Sequence, residues 1–417
     1  MHEATRRPAG YGRYAGDEAR PRTRCGAMGR RPKMRGHPPH RALIAMLRHP
    51  LPRARLAALA LSSFAFAAAH AQPATGFDTA PARLAAEVLG QRPGTVVAGT
   101  WRKGMAHLAI LRNAPRHTGT ARAMTPGEAQ PVFEIGSISK VFTGLLLAQA
   151  VERGDFSLDD TLGRLLADKA TLPPPVAAIT LRQLITHTAC LPNLPALPAR
   201  PPGPDSNPFA RPTRAHLMVA LSSLELAQAP PCAPRYGSLG IALVGQLLSD
   251  RYGRPWDQLV RERIAVPLGM KDTVQHLDAA RAKRLPQGYA GNAARAPWEF
   301  GALAAAGALR STVPDLLLFA RALMAGRAGP LGAAAERLRE PLSAQGEYDV
   351  GYALRMRDPA AGGAQRRIYF HTGQTGGYRA LLAFSPATNG ALVLLASNDA
   401  AAVVPVLDAL TLPLAAK

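Results

Sequence analysis

The chain has 417 residues, 47% of them hydrophobic, and its 50 Lys and Arg residues outnumber its 28 Asp and Glu residues, for a formal net charge of +22. The hydrophobic content is too high for a wholly disordered chain, and the 38 Gly and 38 Pro residues have no collagen-like period. Residues 1–71 carry +11 of this charge, and the rest has no basic helix or basic–aromatic pattern, so no nucleic-acid partner is expected.

The first 71 residues divide into two segments. Residues 1–45 are rich in Arg, Pro and Gly and are predicted to be a disordered or untranslated extension, with translation starting at Met46. Arginines then precede the uncharged stretch LAALALSSFAFAAA and the sequence Ala69-His70-Ala71, a pattern typical of a secretory signal peptide over 46–71. We expect cleavage near Ala71 and a periplasmic or secreted protein. No uncharged apolar run is long enough for a membrane span, so none is expected.

The predicted elements of the mature chain change in type along its length. Periodicity and turn residues predict, in chain order, a helix over 78–89, strands over 95–100, 106–111 and 132–135, a helix over 140–153, a mostly helical and irregular stretch over 158–295, a helix over 314–324, strands over 378–384 and 391–396, and a closing helix over 400–410. The Lys103-Gly104 pair predicts a turn between the first two strands. These elements predict an α/β protein of the α+β type. Its antiparallel sheet is built from both termini and flanked by helices, with a mostly helical lobe inserted.

The sharpest local feature is the string FEIGSISK over 133–140. Ser137 and Lys140 are three residues apart at the start of an apolar helix, so they share a helix face and the ammonium group can lie beside the hydroxyl. A serine hydroxyl is a weak nucleophile that needs a neighbouring base or cation, and a helix N-terminus favours developing negative charge. Taken alone, the pair is better explained by a helix-capping serine and a solvated lysine.

The string FEIGSISK resembles the nucleophile motif of class C β-lactamases and their relatives among penicillin-binding serine hydrolases. Those relatives include D-alanyl-D-alanine carboxypeptidases and certain esterases. Further segments resemble the same family in the same order: ITLRQLITHTACLP over 179–192, RYGSLGIALVG over 235–245, RIAVPLGMKDT over 263–273, the segment 307–320, and HTGQTGGY over 371–378. The resemblance runs from about Phe77 to the C-terminus. It implies one β-lactamase/transpeptidase-like domain over 77–417.

The resemblance implies a role for each matching residue. Ser137 attacks the substrate carbonyl and becomes acylated, while Lys140 and Tyr236 handle its proton; which of the two accepts it stays open. Backbone N–H groups of Ser137 and Gln374 form an oxyanion hole, which stabilises charge that develops only in the transition state. The residues implied in substrate binding are Ser238, His371, Thr372 and Gly373.

Two positions depart from the family pattern. The tyrosine motif usually reads Tyr-x-Asn, but here Ser238 supplies a shorter side chain with a hydroxyl alone. True class C β-lactamases commonly have Lys-Thr-Gly where this chain has His371-Thr372-Gly373, and a histidine is mostly neutral at pH 7. FEIGSISK therefore favours β-lactamase chemistry, whereas His371 and Ser238 favour a carboxypeptidase or an esterase.

The combined expectation is an exported serine hydrolase that forms a Ser137 acyl-enzyme and hydrolyses β-lactam amide bonds. The alternatives on the same scaffold are a D-alanyl-D-alanine carboxypeptidase and an esterase. A non-catalytic cell-wall or ligand binder is the alternative from another class. The expected partner is a small molecule or a peptidoglycan peptide, and the expected oligomeric state is a monomer.

Two cysteines remain after the predicted cleavage, Cys190 and Cys232. An oxidising compartment permits a bridge between them, and two free thiols are the equally weighted alternative. No nucleotide-binding glycine motif occurs, and His187 has no second ligand at metal spacing, so no cofactor and no metal are expected. His187 is instead predicted to make a structural hydrogen bond.

Overall fold

The computed structural model describes residues 79–196, 207–345, 348–358 and 367–406, all of which belong to one compact unit. The predicted N-terminal extension and signal peptide lie outside these residues. So do residues 407–410 of the predicted closing helix. None of the described helices combines the length and apolar composition of a membrane span.

Most of the described strands belong to one antiparallel sheet. In chain order the strands are β1 Gly94–Arg102, β2 Met105–Asn113, β3 Arg122–Ala123, β4 Phe133–Glu134, β5 Gly288–Ala290, β6 Ala293–Arg295, β7 Arg310–Ser311, β8 Ser343–Gln345, β9 Tyr348–Val350, β10 Arg355–Arg357, β11 Ile368–Gln374, β12 Arg379–Ser385 and β13 Gly390–Ala396. Nine of these form the large sheet, in the order β3-β2-β1-β13-β12-β11-β10-β9-β8, while β4 pairs with β7 and β5 with β6.

The large sheet joins the two ends of the domain. Val96 of β1 lies opposite Leu111 of β2 on one side and opposite Ala396 of β13 on the other. The β1–β2 turn has Lys103 at φ 49° and Gly104 at φ 83°, the left-handed pair that a two-residue hairpin turn needs. The predictions of these strands, their turn and a sheet built from both termini are therefore confirmed.

Helices cover both faces of this sheet. The helices are α1 Thr79–Leu89, α2 Ser139–Glu152, α3 Leu162–Leu165, α4 Pro174–Ala177, α5 Leu181–Ile185, α6 Arg214–Ser222, α7 Leu239–Tyr252, α8 Trp256–Val260, α9 Val266–Leu268, α10 Ala279–Ala282, α11 Val313–Ala325 and α12 Ala333–Arg337. Every residue of β13 is buried, and its alternate side chains enter two different cores. Leu392 and Leu394 pack with Val88 of α1, whereas Val393 and Leu395 belong to the larger core under the helical part.

Two details differ from the predicted elements. The short strand around Phe133 does not join the large sheet but pairs with Ser311 of β7. Residues 400–404 form a loop rather than the start of a closing helix. The backbone N–H groups of this loop bond to groups that would not be their partners in a helix. Ala400 N donates to Asn398 Oδ1, and Ala402 N donates to the Val88 carbonyl. The predicted fold class stands.

Candidate active site

The serine of the FEIGSISK string lies where a buried segment reaches the surface. A 3-10 turn, Gly136–Ile138, leads directly into α2. From Pro131 to Ala148 every residue is buried except Ser137, which is half-buried. A substrate can therefore reach this segment at the serine.

The side chain of Lys140 is fully buried beside that serine. Its Nζ donates to Ser137 Oγ at 3.1 Å, to the Ala306 carbonyl at 2.7 Å and to Ser238 Oγ at 3.4 Å. Burial is the main cause that lowers the pKa of Lys140, and the Arg355 charge lowers it further, while interaction with Tyr236 opposes both. The structure thus brings Ser137 and Ser238 to the same ammonium group and excludes a solvated Lys140.

Polar residues of α2 attach the helix to the segment that supplies the Ala306 carbonyl. A 3-10 turn, Ala304–Ala306, packs against α2. Thr143 Oγ1 donates to the Ala305 carbonyl at 2.7 Å, and Ser139 Oγ accepts from Leu309 N at 3.0 Å. These bonds explain why Ser139 and Thr143 are polar in an otherwise apolar helix. They also hold the Ala306 carbonyl against the Lys140 ammonium group.

Tyr236 lies over the same ammonium group, just before α7 begins at Leu239. Its ring centroid is 5.0 Å from Lys140 Nζ, and its side chain is 39% exposed. The ring also contacts His187, with centroids 4.8 Å apart, and His371, at 6.1 Å. Tyr236, the third predicted catalytic residue, therefore lies against Lys140 and is accessible to a substrate.

The predicted oxyanion-hole donors come from backbones in close contact. Gly136 has φ 49°, and a Cβ there would lie 2.7 Å from the Gln374 N atom. In an antiparallel pair of strands, residues that hydrogen-bond to the partner strand alternate with residues that do not. Thr375 N donates to the Tyr378 carbonyl, so the preceding residue, Gln374, which lies opposite Arg379, points its N–H away from β12. The Gln374 N–H therefore points toward the β10 side of β11, where the pairing of the two strands extends only as far as Phe370. This arrangement fits an open donor beside the serine turn.

His371, Thr372 and Gly373 lie side by side on β11 but differ in burial and in what they contact. His371 is 1% exposed, and its Nδ1 donates to the Thr372 carbonyl at 2.6 Å. Burial, followed by the Arg355 and Lys140 charges, holds the pKa of His371 well below its usual range, so this ring is neutral. Gly373 is buried against the serine turn, where a Cβ would lie 1.9 Å from the Ile135 carbonyl. Thr372 and Gln374 are the accessible side chains of this segment.

Sequence reasoning missed the permanent cation of the site, Arg355. Its guanidinium carbon is 5.0 Å from the Tyr236 ring centroid and 4.9 Å from that of Tyr348. No carboxylate within the described ranges forms a salt bridge with it. Arg355 belongs to a three-residue strand, β10, and no local pattern indicates which way such a strand faces. It supplies the positive charge that His371 does not.

The two cysteines are free thiols in the structure, so no bridge joins them there. Both sulfur atoms lie against the Thr188 carbonyl instead, Cys190 Sγ at 3.9 Å and Cys232 Sγ at 3.6 Å. Burial and the neighbouring Cys232 thiol raise the pKa of Cys190 to about 11. Among the described residues, no group of His, Cys, Asp and Glu side chains could hold a metal ion.

Comparison with known proteins assigns the chain to a family. The β-lactamase family profile matches residues 78–416. The chain belongs to the β-lactamase family. It is 29% identical over 208 residues to the D-alanyl-D-alanine-carboxypeptidase/endopeptidase AmpH of Escherichia coli K12, an alignment that covers 48% of this chain and 53% of that protein. It thus spans about half of AmpH. It is also 26% identical over 314 residues to penicillin-binding protein 4 of Amycolatopsis lactamdurans, covering 70% and 78% of the two chains.

Solved structures share the fold of this β-lactamase family member. A β-lactamase/D-alanine carboxypeptidase from Pseudomonas syringae matches with a TM-score of 0.64 and 20% identity, over 78% of this chain and 95% of that one. A class C β-lactamase from Rhodobacter sphaeroides matches with a TM-score of 0.62 and 20% identity, over the same shares. At this identity the likeness concerns the fold, and the predicted β-lactamase/transpeptidase-like architecture is confirmed.

Proposed function

We propose that this chain is a serine hydrolase that opens β-lactam amide bonds through a Ser137 acyl-enzyme. The observation that carries the proposal is the 3.1 Å contact between Ser137 Oγ and the buried Lys140 Nζ. A buried amine with a lowered pKa can exchange a proton with a serine hydroxyl, which an exposed lysine does poorly at neutral pH.

The reaction then has two steps. Ser137 Oγ bonds to the amide carbonyl carbon as its proton passes to the Lys140–Tyr236 pair, and the Ser137 and Gln374 N–H groups stabilise the tetrahedral oxyanion. The amide C–N bond breaks, and the nitrogen takes up the proton. Water then attacks the ester, giving a carboxylic acid and restoring the Ser137 hydroxyl. The half-exposed Tyr236 is placed to serve both proton transfers.

A D-alanyl-D-alanine carboxypeptidase is the second candidate, favoured by one feature of the site. His371 is neutral and buried where true class C β-lactamases commonly have a lysine. Arg355 is then the cation available for a substrate carboxylate, and both β-lactams and D-alanyl peptides carry a carboxylate close to the bond that is cleaved. The similar proteins include a D-alanyl-D-alanine-carboxypeptidase/endopeptidase and a class C β-lactamase.

The test follows a labelled penicillin by intact-mass spectrometry and product analysis. We expect an adduct on Ser137 that turns over quickly for a β-lactamase and persists for a carboxypeptidase, which should also release D-alanine from a peptide ending in D-alanyl-D-alanine. Ser137→Ala should remove both adduct and turnover. Ser223→Ala, in an exposed serine at the end of α6, is the matched control and should retain them.

Other outcomes separate the remaining alternatives. Absence of an adduct together with hydrolysis of a short aryl ester that Ser137→Ala abolishes would indicate an esterase. If Ser137→Ala changes nothing with any of these substrates, the catalytic assignment is wrong and a non-catalytic binder is the better explanation.

A further inference from the structure

His187 holds the two residues on either side of Tyr236. The Arg235 N–H donates to the His187 carbonyl at 2.9 Å, and the Gly237 N–H donates to His187 Nδ1 at 3.4 Å. The His187 ring also packs against the Tyr236 ring, with centroids 4.8 Å apart and planes tilted by 46°. His187 therefore contacts three consecutive residues, Tyr236 and its two neighbours in the chain.

Tyr236 is not held by regular secondary structure of its own. Helix α7 begins only at Leu239, so Tyr236 precedes the first helical turn. Asn193 holds the two residues at the start of α7, since Ser238 N donates to Asn193 Oδ1 at 2.9 Å and Leu239 N to the Asn193 carbonyl at 2.9 Å. The loop that begins at His187 thus fixes 235–239, and His187 is its contact with the tyrosine.

The acceptor role of His187 requires a particular state of its ring. Nδ1 can accept the Gly237 N–H only when it carries no proton. Burial, followed by the charges of Lys140 and Arg355, lowers the pKa of His187 to about 3, so the ring stays neutral at neutral pH. The backbone restricts the choice of residue as well, because His187 has φ 63°, a left-handed conformation in which Gly, Asn, Asp and His are enriched over other residues.

We propose that His187 is a positioning residue for the reaction, holding the Tyr236 phenol over the Ser137–Lys140 pair. This inference rests on the proposed acyl-enzyme function, because it assigns His187 an effect on the acylation step. Asparagine can replace two of its properties, since its Oδ1 can accept a backbone N–H and it tolerates a left-handed φ. Leucine is of similar size but offers no acceptor.

The experiment compares His187→Asn and His187→Leu with the wild-type chain, using a chromogenic cephalosporin and a short aryl ester. His187→Leu should lower kcat by about tenfold to a hundredfold with little change in KM, because misplacing a catalytic group by about 1 Å costs on that order. His187→Asn should recover most of kcat. The control is His216→Asn in α6, where an exposed histidine Nδ1 accepts the Thr213 N–H at 3.2 Å; its kcat should match the wild type.

A second measurement needs no turnover. In protein labelled with ¹³C-tyrosine, the Tyr236 ring resonance is identified by its loss in Tyr236→Phe. It should broaden in His187→Leu and regain the wild-type linewidth in His187→Asn, while both variants shift it because both lose the ring current of the imidazole. If the wild type is inactive with both substrates, the proposed function fails and this spectrum alone decides the role of His187. The proposal would be overturned if the Tyr236 linewidth in His187→Leu equals that of the wild type. It would also be overturned if kcat falls equally in both variants and the fall follows their urea unfolding midpoints.

Discussion

At the scale of single residues, the buried ammonium group of Lys140 is the unusual feature. Moving a charged amine out of water is costly unless hydrogen bonds compensate, and a deprotonated amine avoids most of that cost. Lys140 has three acceptors around Nζ, namely Ser137 Oγ, Ser238 Oγ and the Ala306 carbonyl. Either protonation state is therefore accommodated, which is what a group that exchanges a proton with Ser137 requires.

The charge of Arg355 leads to a prediction about substrate selectivity. Because it is the permanent cation facing Tyr236 and has no carboxylate partner among the described residues, we expect it to bind the substrate carboxylate. Arg355→Ala should raise KM for an anionic β-lactam by about tenfold or more, since a hydrogen bond to a charged group contributes on the order of 1.5–3 kcal/mol. A neutral aryl ester should be hydrolysed almost as before. Steady-state kinetics with both substrates measures the difference.

The conservative variant and the neutral substrate control this prediction. Arg355→Lys keeps the charge but loses the planar pair of donors, so its KM for the β-lactam should fall between those of the wild type and Arg355→Ala. An equal loss of activity toward the neutral ester would instead mean that Arg355 supports Tyr236 through packing, and the carboxylate role would be wrong.

At the scale of elements, local signals predicted the parts of the fold that local interactions determine. The Lys103-Gly104 turn, helix α2 and helix α11 each have turn residues or periodicity of their own. The three-residue strands β8, β9 and β10 do not, because their pairing depends on the neighbouring strands. The site divides in the same way. Ser137 and Lys140 are three residues apart on one face, whereas Lys140 and Ala306 are 166 residues apart, and only folding brings them together.

Asp315 in α11 predicts a pH-dependent stability. This buried carboxyl follows the N-cap Thr312, and burial raises its pKa from 3.8 to about 6 despite hydrogen bonds from Thr273 and Asp272 N. The fold thus favours the protonated carboxyl, and its contribution to stability is fully present below about pH 4 and is lost as pH rises through about 6. Between those limits the free energy of unfolding should fall by about 2–3 kcal/mol relative to Asp315→Asn.

Urea unfolding of the wild type and Asp315→Asn from pH 4 to pH 7 measures this difference. Asp272, the neighbouring acid, has a lowered pKa because of Arg284, so it stays ionised over this range. Asp278→Asn is the control, because the exposed Asp278 carboxyl caps α10 and has a lowered pKa, so its contribution to stability should change little between pH 4 and pH 7. A constant difference between wild type and Asp315→Asn at all pH values would contradict the prediction.

At the scale of the whole molecule, the site is assembled where the sheet meets the helical part. Strand β13, near the C-terminal end of the described chain, lies between β1 and β12. Strand β11 follows β12 in the sheet and carries Gln374, while the 3-10 turn Gly136–Ile138 carries Ser137 and α2 carries Lys140. Neither part contains all the proposed catalytic groups, and the serine turn and Gln374 meet only in the folded domain, where Gly136 lies against the Gln374 backbone.

The net charge of the chain is concentrated in its first 71 residues. Residues 1–71 hold +11 of the +22, whereas the first described helix starts at Thr79 and every proposed catalytic group lies after it. We propose that export removes the N-terminal segment after Ala71, so that the protein isolated from its native host begins at Gln72 and carries half the net charge. N-terminal sequencing and intact mass should show this start, and Ala71→Arg, which replaces a small residue of the cleavage site, should abolish it. A mature protein that retains Met1 would refute the signal peptide and leave the basic segment to be explained by a binding role.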